Sequence, residues 1–71
     1  MANAKFIKAL AKHIDQLRRD RGLSFQEMAD ACDMDKGQVY KICTVGVDFR
    51  ASTIVKLAKG LEVPISDILD F

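Results

Sequence analysis

The sequence predicts an all-α fold of five short helices, and three observations carry that prediction. Apolar residues recur at three- and four-residue intervals in successive stretches, capping and turn residues stand between those stretches, and no strand candidate is longer than a few residues. At 71 residues the chain is expected to form a single domain, residues 1–71, because a chain of this size already struggles to bury enough surface for one core.

The first helix is read from Phe6, Leu10, Ile14 and Leu17, an apolar stripe with charged residues between, and Asn3 is its expected N-cap. It should end near Arg21, since Gly22 suits the positive φ of a helix C-terminus and Arg18, Arg19 and Arg21 suit the negative end of the dipole. Ser24 and Glu27 have the spacing of a capping box and open a second, short helix with Met28, Ala29 and Cys32 on one face. That helix runs into Asp33, a residue that tolerates the left-handed turn conformation. Asp35 is the expected cap of a third helix, running from Lys36 to about Cys43 with Val39, Ile42 and Cys43 inward and Lys36, Gln38 and Lys41 outward. Residues 44–49, with Gly46, have no helical period and read as a loop. Ile54, Leu57, Ala58 and Leu61 define a fourth helix, and Pro64 opens a short fifth one carrying Ile65, Ile68 and Leu69.

Composition sets limits on function. With 49% hydrophobic and 30% charged residues the chain is globular in character, not a disordered tail. Its apolar runs are far short of the roughly 20 residues needed to cross a bilayer, and a cytoplasmic location is expected. The net charge of +1 is modest for a nucleic-acid binder, yet Lys5, Lys8, Lys12, Arg18, Arg19 and Arg21 all fall in the first third, and local potential governs binding. Cys32 and Cys43 lack any metal-ligand or redox spacing and are expected to be buried and free. His13 has no nucleophile near it in the sequence and is read as a surface residue. No acid, base, nucleophile or metal set can be assembled, so neither an enzyme, nor a metal, nor a cofactor is expected.

The middle of the chain has the parts of a helix-turn-helix. Such a motif needs a small residue in its first helix, a turn residue able to take positive φ, and apolar residues inside its second helix, and Ala29, Asp33, Val39 and Ile42 fall at those places. One face of the third helix is left free, as a helix entering the major groove requires.

On Ile14-Asp15-Gln16-Leu17-Arg18, Gly22-Leu23-Ser24, Met28-Ala29, Val39-Tyr40-Lys41-Ile42 and the run from Thr53 to Val63, the sequence resembles the phage repressor and Cro-like family, also called the Xre family. The resemblance implies a lambda-repressor-like five-helix domain and a sequence-specific regulator of transcription that binds double-stranded DNA as a homodimer. It puts Lys36, Gly37, Gln38, Tyr40 and Lys41 at base-reading places. The exposed charges of helix one make Arg18 and Arg19, with Lys5, candidate phosphate contacts, Arg50 in the loop after the third helix is another, and Ser24, Gln26 and Thr44 complete the expected phosphate set. Three residues depart from the family pattern: Phe25 stands where relatives often have a glutamine on a phosphate, Asp33 replaces a turn glycine, and Cys43 replaces a glutamate that pairs with an arginine ending helix one. Arg18 then needs another partner or is free for DNA. Tyr40 is open to two readings, packing on the core edge or meeting a thymine methyl or sugar.

Assembly is expected through Ile65, Ile68, Leu69 and Phe71, too many apolar side chains for so short a chain to bury alongside Leu61 and Val63. The competing expectation is a protein-interaction module, such as an antitoxin or adaptor, that keeps the fold and binds a partner protein. The near-neutral charge, Phe25, Asp33 and Asp35 favour it.

Overall fold

The structure, a computed structural model, describes residues 4–46 and 50–71. Among these residues five helices are present: α1 Ala4–Asp20, α2 Phe25–Cys32, α3 Lys36–Thr44, α4 Ala51–Leu61 and α5 Ile65–Ile68. The expected cap Asn3 and the end of the expected loop, residues 47–49, lie outside the described residues.

Helix α1 buries Leu10, Ala11 and Ile14 and half-buries Leu17. Phe6, expected in the same stripe, instead stands at the rim of the core with its ring 5.3 Å from that of Phe71. The helix closes as predicted on Gly22, whose φ of +66° is open to glycine without a Cβ penalty. There the Gly22 N–H reaches the Arg19 carbonyl at 2.9 Å and the Leu23 N–H reaches that of Arg18 at 3.2 Å, a Schellman closure.

Both halves of the Ser24–Glu27 capping box are made. The Glu27 N–H donates to Ser24 Oγ at 3.0 Å and the Ser24 N–H to Glu27 Oε1 at 2.8 Å. These bonds, the backbone one foremost, hold the Glu27 carboxyl below its ordinary pKa. Asp33 takes the left-handed conformation with φ 58°, and the Met34 N–H folds back on the Ala29 carbonyl at 2.9 Å.

Two expectations at α3 are corrected. Asp35 has the extended backbone of an N-cap, but its side chain makes no capping bond. Thr44, expected beyond the helix, is its last residue, because the helical backbone bonding continues past it, with the Val45 N–H on the Lys41 carbonyl at 3.1 Å; the Thr44 hydroxyl donates to the Tyr40 carbonyl at 2.6 Å.

Ile14, Met28, Val39, Ile42, Leu57, Leu61 and Ile68 form the fully buried centre. Around it α1 packs on α3, α2 on α3 and α4, and α5 on α4 and α1. The α2–α4 approach depends on Gly60. A Cβ there would meet the Ala31 carbonyl group at 2.9 Å and run into Cys32 Sγ. Ile68, expected on the outer C-terminal surface, is 0% exposed, because the docking of α5 turns it inward as the last member of the core. Ile65, Leu69 and Phe71 do remain outside, each nearly half exposed.

Candidate nucleic-acid interface

Helix α2, the three-residue turn 33–35 and α3 form one rigid unit, fixed by the capping box at one end and the Asp33–Met34 closure in the middle. Val39, Ile42 and Cys43 anchor α3 in the core, while Lys36, Gly37, Gln38, Tyr40, Lys41 and Thr44 are exposed. At roughly 100° per residue, Gly37, Lys41 and Thr44 lie opposite the buried stripe, Lys36 and Tyr40 share one flank, and Gln38 takes the other. No atom lies within 4 Å of where a Cβ on Gly37 would stand, so nothing inside the fold demands a glycine there.

The flank of α3 carrying Tyr40 is tied to α2 by an aromatic contact. The rings of Phe25 and Tyr40 meet in a T-shaped arrangement, centroids 5.4 Å apart and planes at 80°. Behind Phe25, the Arg18 guanidinium lies 4.3 Å from the ring centroid. Arg18 also donates to Asp15 and, from Nη1, to the Leu23 carbonyl at 2.6 Å. Its side chain is only 14% exposed. Arg18 was expected at a phosphate. The structure instead turns it inward, with Nε, Nη1 and Nη2 each donating within the fold, and the partner it lacks through the Cys43 departure is Asp15 on its own helix.

Other expected phosphate residues are differently placed. Arg19 shares Asp15 with Arg18 at 3.0 Å but is 66% exposed. Ser24 and Gln26 are exposed at the start of α2, where Gln26 Nε2 donates to Asp30 at 3.0 Å. Arg50 is exposed at the N-terminal boundary of α4.

Sequence reasoning missed Asp15 and the Phe25–Tyr40 contact. Asp15 left a legible signal, since it precedes two arginines by three and four residues on one helix. The ring contact crosses a turn and left no periodic trace. His13, read as a surface residue, is half-buried, with Nε2 donating to the Asp67 carbonyl at 2.6 Å and its ring stacked on Phe71. Both cysteines are free and buried, as expected. Burial, and then the Asp15 carboxylate, push the Cys43 thiol up to about 11, and burial raises Cys32.

A family model described as a helix-turn-helix domain matches residues 9–70. The chain belongs to the helix-turn-helix domain family. This helix-turn-helix domain also shares its fold with a solved structure, the restriction-modification controller protein C.AhdI from Aeromonas hydrophila. The TM-score is 0.82 at 23% identity, over 93% of this chain and 98% of that one. No curated protein matches the sequence significantly. Among the described residues of this helix-turn-helix domain, no helix is long and apolar enough to cross a membrane, and no His, Cys, Asp and Glu group could hold a metal ion.

Proposed function

We propose that the protein is a sequence-specific DNA-binding regulator of transcription that lays α3 in the major groove. The observation that carries this is the division of α3: Val39, Ile42 and Cys43 lock it to the core, and Lys36, Gly37, Gln38 and Lys41 are offered outward on a backbone held by caps at both ends of α2. Lysine donates to guanine O6 and N7, glutamine pairs with adenine, and a glycine opposite the core lets the helix backbone come close to a base edge. Arg19, Ser24, Gln26, Thr44 and Arg50 border this surface in the reading and serve the phosphates, fixing register without reading sequence. Binding, not catalysis, is the role, and such a regulator works in the cytoplasm beside its DNA.

One α3 reads only a few base pairs, too few to select a site from a genome, so the reading requires a homodimer on a two-fold operator. Supporting it is the apolar C-terminal surface of Ile65, Leu69 and Phe71.

The test is selection from a random duplex pool, together with mobility shifts on the DNA upstream of the protein's own gene. Lys36→Ala, Gln38→Ala and Lys41→Ala are each expected to weaken the selected duplex by about 1–3 kcal/mol and to relax preference at distinct base pairs. Arg50→Ala should weaken all sequences alike. Failure of the wild type to enrich any duplex would reject the reading.

A further inference from the structure

We infer that the outer face of α1 receives α5 of a second copy of this chain, with Leu69 of that copy in an apolar trough and its Asp70 against Lys12; this rests on the homodimer in the reading above. The C-terminal apolar surface is too small to join two copies alone. With Ile68 in the core, only Ile65, Leu69 and Phe71 of the expected four remain outside, each less than half exposed. Even a large aromatic side chain buries only about 150–250 Å² in full, and a stable interface takes about 800 Å² from each partner. The contact has to spread to a neighbouring surface.

That surface lies on α1. Beside Phe71 runs a shallow trough lined by Ala9, Lys12, His13, Gln16 and Phe71. The His13 ring stacks on Phe71 at 5.6 Å and its Nε2 bonds the Asp67 carbonyl at 2.6 Å, so the trough and α5 are held as one body. Phe6, 5.3 Å from Phe71 ring to ring, extends the apolar patch.

Charge then selects the occupant. At roughly 100° per residue, Lys8 and Lys12 lie on the side of α1 away from Leu10 and Ile14, and both are exposed. Among the described residues neither lysine forms an ion pair, and neither do the exposed Asp67 and Asp70. Helix α1 therefore carries uncompensated positive charge beside an apolar trough, while the α5 end carries uncompensated negative charge beside an exposed leucine. Each surface supplies what the other lacks. A two-fold axis pairs both at once, α1 of each copy with α5 of the other, whereas like faces set together would oppose lysine to lysine. A DNA phosphate would satisfy the lysines but leave the trough empty.

The experiment is sedimentation equilibrium of the full chain at micromolar concentrations across a salt series, with circular dichroism to confirm that each variant folds. The wild type should dimerise, and more weakly as salt rises, because the Lys12–Asp70 pairs lie at a solvent-accessible rim. Lys12→Glu and Asp70→Lys should each weaken association at least about tenfold, since each sets like charges together at both contacts. Neither residue has a partner inside its own chain to lose. Mixing the two variants should restore association to about the wild-type level, because both contacts of the mixed dimer again join opposite charges.

The assignment is overturned if either variant dimerises like the wild type, or if mixing the two does not restore association. A wild type that dimerises, is weakened by Leu69→Asp and is indifferent to both charge reversals overturns this assignment and leaves the homodimer standing. A wild type that stays monomeric, both free and on its selected duplex, overturns the homodimer and this assignment with it, and leaves the trough to an acidic segment of a different protein.

Discussion

Arg18 and Asp15 are joined through a single carboxylate oxygen, which accepts from Arg18 Nε at 3.0 Å and from Nη2 at 2.8 Å, while the second oxygen holds Arg19. The pair is mostly shielded from solvent and sits where α1, α2 and the start of the α2–α3 unit meet. Removing the acid leaves a shielded guanidinium without its counter-charge. Asp15→Ala should therefore lower stability by about 1–3 kcal/mol in urea unfolding. Arg18→Lys should not be conservative, since an ammonium cannot serve Asp15, the Leu23 carbonyl and the Phe25 ring face together. A change of under about 0.5 kcal/mol in both variants would place the pair among the weak surface ion pairs.

Gly60→Ala sets helix propensity against packing. Propensity favours alanine by about 1 kcal/mol, but the new methyl would stand 2.9 Å from the Ala31 carbonyl group. Overpacking should win, with a net loss of about 1–2 kcal/mol and a lower Tm.

At Gly37 the sign reverses. Its Cβ would enter open space, so Gly37→Ala should raise stability by up to about 1 kcal/mol in the free protein. If the glycine is there to admit DNA, the same variant binds the selected duplex more weakly. Calorimetry and anisotropy on one preparation separate the two effects, and unchanged binding would leave the glycine without a role at the interface.

The cysteines should make the protein sensitive to alkali. The Cys43 thiol is raised from about 9 in the unfolded chain to about 11 in the fold. The unfolded state therefore gives up its proton first as pH rises. The stability linked to this group is fully present below pH 9 and is lost between about pH 9 and 11, amounting to at most about 2–3 kcal/mol. Cys43→Ala should remove that part of the pH dependence. At neutral pH neither thiol should react with a thiol reagent until the chain unfolds.

At the C-terminal end, Ile65, Leu69 and Phe71 are between 46% and 48% exposed. Leu69→Asp should shift sedimentation equilibrium toward monomer at micromolar concentration and weaken operator binding in parallel. If wild type and variant are both monomeric and bind DNA equally, that surface does not join two copies.

The order of the helices, the capping box at Ser24–Glu27, the left-handed Asp33, the Gly22 closure and the buried faces of α2 and α3 were all legible in the sequence. They depend on periodicity and on hydrogen bonds between residues a few positions apart, and local spacing records such interactions directly. The exposed positions of α3 followed from the same periodicity. What the chain does with Phe25, Tyr40, His13, Gly60 and Ile68, and with the Arg18 guanidinium beyond its same-helix pair with Asp15, was settled only by tertiary structure. Each of them meets a residue on another helix or at the far end of the chain, and no period or short motif encodes which helices come together or how closely. Arg18 looked free for DNA because its usual partner position holds Cys43. The fold turns it onto Asp15 and the Phe25 ring instead. Ile68 looked like surface for a second copy because a four-residue helix has too little pattern to show its inner side. Docking on α4 and α1 decided that side, since burying Ile68 completes the core and leaves Ile65 and Leu69 to the solvent.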